Sequence, residues 1–297
     1  MRRQRALRFG ALVVGAMGLL AVAGPWLIPF DPAVQQLPIR LASPTWRHPF
    51  GLDELGRDVL ARVAAGARIS FIVGLTVVTV SAAVGTLLGA VAGYAGGRLD
   101  SLISRAIDVL LAFPGLLLAI ALVAVLGPGL INVLFALTII GWVGYARLVR
   151  GQVLKAREFE YVHAARALGG GAGHVLWRHL VPAVLPAVVV QATLGMAGAI
   201  LGEASLSFLG LGVQPPTPSW GTMLNSGRAH LLDAPHLTLF PGLAIALLVL
   251  NGPQRGRIWL DFRGTFGGIT PAAPADAHSS TVPVRVLAAQ TCSTAAS

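Results

Sequence analysis

From Val109 to Ala146 not one residue carries a charge. A hydrocarbon core about 30 Å thick is crossed by roughly 20 helical residues, so this run is too long for one crossing and too apolar for water. Gly127-Pro128-Gly129 interrupts it. Proline withholds a backbone donor and glycine permits a tight turn, which predicts two spans joined by a hairpin. Other apolar runs of membrane length are Phe9–Phe30, Ile69–Tyr94 and Val181–Gly202, with a shorter one at Ala234–Leu250. The runs are continuous rather than alternating, which predicts helices and excludes barrel strands. The expectation is an all-α membrane protein with about six transmembrane helices.

Composition bears this out: 55% of residues are hydrophobic and 11% charged, outside the range of ordinary soluble domains. With 36 glycines, the chain has the small residues that let membrane helices approach closely. The lone cysteine, Cys292, excludes an intrachain disulfide.

Six spans alternate sides, and the charges test the alternation. With the N-terminus inside, the inner segments 1–8, 95–108, 147–180 and 251–297 carry net +4, 0, +4 and +2. The outer segments 31–68, 127–129 and 203–236 carry +1, 0 and −1. The positive-inside bias therefore predicts a cytoplasmic N-terminus, and the overall +10 reflects topology rather than a nucleic-acid footprint. Residues 1–30 have a cleaved leader as an alternative, since Arg2, Arg3, Arg5 and Arg8 precede the apolar run and Ala21-Val22-Ala23 resembles a cleavage site. The run continues through Trp26 to Phe30, longer than a leader needs, so an uncleaved anchor is expected.

Three stretches between the spans carry the remaining signal. Leu52, Leu55, Val59, Arg62 and Val63 fall near helical spacing, which fits an amphipathic surface helix or a solvated loop. Glu158 to Leu168 contains good helix formers and is stopped by Gly169-Gly170-Gly171. Tyr161, Ala164, Ala165 and Leu168 share one face of that helix, with Glu160 in its first turn. A second helix from His174 leads to Pro182 and the fifth span. From these residues alone the element is either a knob for a groove on another protein or an interfacial connector. Glu203 and Asp108, at the ends of spans, read first as interfacial carboxylates.

Catalytic signatures are missing. The only lysine, Lys155, follows Leu154, so no phosphate-cradling Gly-Lys-Ser/Thr occurs. The histidines form no His-Glu-x-x-His pattern, and no Gly-x-Ser-x-Gly elbow exists. His163, His174 and His179 lack the neighbouring carboxylates or thiols of a metal site. No enzyme activity, cofactor or metal is expected. A secondary transporter would need ionisable groups at span centres, and none lies there.

The stretch EYVHAARALG, followed by RHLVP, resembles the coupling loop of bacterial ABC importer permeases, whose pattern is Glu-Ala-Ala, then Gly, then a late Pro. Ala164, Ala165, Gly169 and Pro182 match, whereas His163 stands at the Glu position. His48 to Ser70 and Gly202 to Leu224 are similar to segments after the first and fifth spans of dipeptide/oligopeptide/nickel-type permeases. The resemblance covers most of residues 1–250. It implies the MetI-like permease fold, a second permease subunit (identical or different), two ABC ATPase subunits and an extracytoplasmic solute-binding protein. It implies ATPase coupling through Glu160, Tyr161, Ala164, Ala165, Leu168, Gly169 and Pro182. It also makes Glu203, Ser205, Ser207 and Trp220 candidates for a translocation path or outer gate. The expected organisation is an anchor and outer segment at 1–68, a transmembrane core at 69–250 with the coupling loop at 147–180, and a divergent tail at 251–297. Asn251-Gly252-Pro253 breaks the last helix where the family continues apolar, and 264–297 lacks the apolar content to pack. The expected location is the bacterial inner membrane.

Overall fold

The computed structural model describes residues 30–251, and within them the chain is helical. The first expected span, apart from Phe30, lies outside the described residues, as does the tail from residue 252. Among the described residues three helices are long and apolar enough to cross a membrane. They are α1 (Val59–Ala95), α4 (Leu130–Ala156) and α6 (Ala172–Phe208). Between them lie α2 (Gly97–Leu111) and α3 (Gly115–Leu126), a pair bent by 86° that makes a fourth candidate span. The short α5 (Glu160–Ala167), α7 (Trp220–Gly227) and the apolar α8 (His236–Asn251) complete the set.

Helix α1 differs from the expected surface helix followed by a separate span. Leu52 to Asp58 forms a tight turn closed by a bridge between those two residues, with Gly51 and Gly56 at positive φ. From Val59 the helix runs unbroken to Ala95, capped by the Asp58 carboxylate, which accepts the Ala61 N–H at 2.8 Å. The charges that imitated a solvated face turn inward instead. Arg57 Nε donates to Asp53 Oδ2 at 2.6 Å, Arg62 Nε lies 3.4 Å from the same oxygen, and His48 Nδ1 lies 2.8 Å from Asp58 Oδ2. Asp53, Arg57, Asp58 and Arg62 are all buried, which is tolerated because Asp53 pairs with both arginines and Asp58 is hydrogen-bonded to His48 and the Ala61 N–H.

The long uncharged run breaks twice rather than once. Gly127 and Gly129, both at positive φ, make the expected hairpin, and Asn132 Nδ2 donates to the carbonyls of Leu126 and Gly127 at its corner. The second break, at Ala112–Pro114, fits proline's bias against α geometry at the preceding residue. It leaves α3 with 12 residues, about 18 Å of helix, short of the hydrocarbon thickness.

Close backbone approach holds the bundle together. Gly85, Gly89 and Gly93 on α1 face Trp142, Ala146 and Arg150 on α4. An added Cβ would lie 2.5, 2.4 and 2.8 Å from the backbone oxygens of those three residues. This is the small-residue stripe by which membrane helices gain van der Waals contact. At the N-terminal end of α1, the fully buried Trp220 donates its indole N–H to the Val63 carbonyl at 2.9 Å, fastening α7 to α1.

Candidate functional site

The loop between α4 and α6 is an ordered knob. Helix α5 ends in a Schellman motif: the Gly170 N–H reaches the Ala165 carbonyl at 2.9 Å and the Gly169 N–H reaches Arg166 at 3.0 Å. Gly169 takes the required left-handed conformation, at φ +84°. Helix α6 then starts at Ala172, earlier than the expected His174, and passes through a π-helical turn at Val175–Leu180. That wide turn directly precedes Pro182, which withholds its N–H from the helical ladder.

One side of α5 is anchored and the other is free. Val162, fully buried, packs with Val175, Leu176 and Leu180 of α6 and with Val153 and Ala156 of α4. Tyr161, Ala164 and Leu168 are exposed, Leu168 at 90%, while Ala165 is half-buried against the bundle. Glu160 is exposed in the first turn of α5, where its charge suits the helix dipole. Pro182 is exposed at the foot of α6.

Sequence reasoning missed Val162 as the anchor, and also missed Phe159 and Trp177 as exposed neighbours. Val162 stands three residues from both Phe159 and Ala165, which puts it at the Ala165 edge of the predicted face, and that was the available signal. Ring centroids of Phe159 and His179 lie 5.9 and 6.4 Å from that of Tyr161, and His174 lies 5.5 Å from His179. The knob thus presents apolar and aromatic surface with a basic fringe.

It is tied to the span ends beside it. Arg166 sits over the Tyr94 ring at 5.2 Å, and Arg157 donates to the Gly93 carbonyl at 3.3 Å. Arg150 binds Asp100 with two prongs, Nε to Oδ1 at 2.5 Å and Nη2 to Oδ2 at 2.8 Å.

At the opposite end Glu203, Ser207 and Trp220 are all fully buried where α7 packs on α6. Glu203 is therefore enclosed by protein, unlike the interfacial carboxylate the sequence suggested, because α7 folds back over α6. Ser207 Oγ donates to Glu203 Oε1 at 2.6 Å and accepts the Val213 N–H at 3.2 Å. Glu203 Oε2 meets no hydrogen-bond partner among the described residues. Ser205 stands apart, half-exposed, with its hydroxyl donated to the Leu201 carbonyl at 2.8 Å. Asp108 is exposed, 3.8 Å from Arg147.

A cavity of about 310 Å³ opens between α1, α3, α4 and α6, with Val77, Ser81, Leu116, Tyr145, Gln191 and Gly198 in its wall. It is apolar with a few uncharged polar groups, and the isolated amide of Gln191 within the apolar run was its only trace in the sequence. The described residues hold no cluster of three metal-ligating side chains.

Comparison with known proteins gives these features a context. Residues 85–251 match the family of binding-protein-dependent transport system inner membrane components. The chain is 43% identical over 251 residues to the dipeptide transport system permease protein DppC of Alkalihalophilus pseudofirmus, covering 84% of this chain and 83% of that one. It is 46% identical over 250 residues to the glutathione transport system permease protein GsiD of Escherichia coli, with 84% and 82% covered. With the di/tripeptide transport system permease protein DppC of Pseudomonas aeruginosa it shares 44% identity over 247 residues, covering 81% and 82%. The chain belongs to the binding-protein-dependent transport system inner membrane component family, as a multi-pass permease subunit of an ABC importer rather than an enzyme.

Proposed function

We propose that this permease carries peptides or similar small solutes inward across the bacterial inner membrane. It works beside a second permease subunit, two ATPase subunits and an extracytoplasmic binding protein, and turns over no nucleotide itself. The N-terminus and the α4–α6 loop face the cytoplasm, as the charge distribution favours. Peptide transport by the DppC and GsiD relatives supports the substrate class. An uncharged cavity wall carrying Ser81, Tyr145 and Gln191 also suits solutes rich in amides.

The observation that carries the reading is the exposed face of α5, with Tyr161, Ala164 and Leu168 held out from the bundle by the buried Val162. An ATPase groove that receives this face, with Glu160, Ala165, Gly169 and Pro182 shaping its ends, moves α4 and α6 together when nucleotide closes it. ATP binding then drives the spans from inward-open to outward-open, and hydrolysis resets them. Glu203, Ser207 and Trp220, beneath the turn from Leu209 to Ser219, are the parts of the outer gate that hold it shut, with Ser205 facing the path. Solute released by the binding protein passes the segment 202–226 and descends between the two permease subunits.

The test is Gly169→Val. At φ +84° a β-branched residue costs about 1–2 kcal/mol and the Schellman turn shifts, yet nothing stands within 4 Å, so insertion is retained. Solute transported per ATP in proteoliposomes is expected to fall. Unchanged transport by the variant refutes docking through α5.

A further inference from the structure

Helix α2 lies outside the coupling loop, yet it is fastened to the helix that feeds it. Asp100, Ile103, Ile107 and Leu110 follow one another at three- and four-residue spacing along the side of α2 that meets α4. Asp100 pairs with Arg150 of α4, and the three apolar residues form one cluster with Trp142, Val143 and Ala146 of that helix. The opposite side of α2 exposes Leu99, Leu102 and Val109. The apolar half of the contact can slide, but the two-pronged Arg150–Asp100 pair fixes both position and orientation. Arg147 and Asp108, 3.8 Å apart and about two-thirds exposed, add little beside it.

Arg150 is also where α1 touches α4. A Cβ on Gly93 would lie 2.8 Å from the Arg150 carbonyl, and Arg157, seven positions on, binds the Gly93 carbonyl. The inner ends of α1, α2 and α4 therefore meet at one residue, immediately ahead of α5. At its other end α2 turns by 86° into α3, whose first residues, Gly115 and Leu116, form part of the cavity wall.

We propose that Asp100 and Arg150 are positioning residues for transport: through their ion pair, movement of α5 and the end of α4 turns α2, and α2 swings α3 against the cavity. This rests on the docking of α5 proposed above. The pair is the step at which a push received by the knob becomes a change in the width of the cavity.

The test uses the assembled transporter carrying Cys292→Ser and Leu116→Cys, with thiol labelling compared between the nucleotide-free and the ATP–vanadate-trapped states. Nucleotide is expected to change the labelling rate by about fivefold or more, the size of an ordinary coupling between sites. With Asp100→Asn the change collapses, while basal ATPase activity persists and Tyr161→Cys still cross-links to the ATPase. The exchange Asp100→Arg with Arg150→Asp restores the response. A full nucleotide response in Asp100→Asn, or no response in the unaltered pair, overturns the proposal. If Asp100→Asn lowers the amount of inserted protein, Arg150→Lys replaces it, keeping the charge but losing the second prong. A collapsed response there supports the proposal and a full one overturns it. Failure of Tyr161→Cys to cross-link with the pair intact counts instead against docking through α5.

Discussion

Replacing Gly89 with alanine sets two effects against each other, and the structure decides the sign. In an ordinary helix interior the change gains about 1 kcal/mol through propensity. Here the new Cβ lies 2.4 Å from the Ala146 carbonyl oxygen and 3.0 Å from its carbonyl carbon and Cα. Ordinary carbon–oxygen contacts fall at about 3.3–3.6 Å, so the helices have to part locally by roughly 1 Å. The obstructing atoms are backbone and cannot rotate away. Gly85 and Gly93, one turn to either side, would place a Cβ 2.5 and 2.8 Å from the facing backbone oxygens, so α1 cannot tilt to relieve one position without overloading another. Overpacking of this kind costs about 1–3 kcal/mol and belongs at the upper end where the helix itself must move. The net expectation is destabilisation of about 1–2 kcal/mol for Gly89→Ala, and more for Gly89→Leu. Gly151, on the exposed side of α4 with nothing within 4 Å, is the control: Gly151→Ala is expected to gain about 0.5–1 kcal/mol. Thermal unfolding of the purified protein in detergent, followed by loss of the monodisperse peak, reads both. A melting temperature for Gly89→Ala equal to or above that of Gly151→Ala refutes the close-packing argument.

Two further substitutions probe the other end of the bundle. Ser207→Ala takes a buried partner from the Val213 N–H and the Glu203 carboxyl, with an expected cost of about 1–3 kcal/mol. Limited proteolysis should report it first, as faster cleavage within 209–219, and unaltered cleavage rules out Ser207 as the residue that holds this turn. Asp58→Ala removes the cap of α1 together with the bond to His48, an expected loss of about 1–2 kcal/mol in the same melting assay. Asp31→Ala, whose exposed side chain only accepts the Ala33 N–H, should stay within about 0.5 kcal/mol and serves as its control.

The spans at α1, α4 and α6 were legible because hydropathy is a property of each residue and sums along the chain. The hairpin at Gly127–Gly129 was legible for the same local reason, as was the stop at Gly169. The break before Pro114 carried an equally local signal, which the apolar run around it obscured. What the sequence hid depends on partners far along the chain. Asp53, Arg57 and Arg62 look like a wet helix face until Arg57 and Arg62 converge on Asp53. Gly85, Gly89 and Gly93 show a four-residue spacing, but only the facing backbone of α4 reveals what that spacing serves. In the candidate site, the residues on α5 were placed by spacing alone, whereas Val162 needed α6 behind it to be recognised as the anchor. Glu203 looked interfacial because nothing local predicts that Trp220 and the turn before it fold over α6.

Helix lengths explain where such a protein is able to move. At 37 residues α1 extends about 55 Å, well beyond a 30 Å hydrocarbon core, so its ends engage structure outside the lipid. Its first turns are held by the Asp58 cap and the Trp220 bond, its last by Gly93 and Arg157. With the glycine stripe between them, α1 and α4 behave as one strut. Helix α3, about 18 Å long and set off by a break at each end, packs on α4 and α6 through Ala119 and Val123 but carries no glycine stripe of that kind. On the docking proposed above, a displacement entering through α5 meets a stiff path in α1 and, through the Arg150–Asp100 pair and α2, a bend of 86° between α2 and α3. On that proposal the motion is expected at Ala112–Pro114, next to the cavity wall, rather than throughout the bundle.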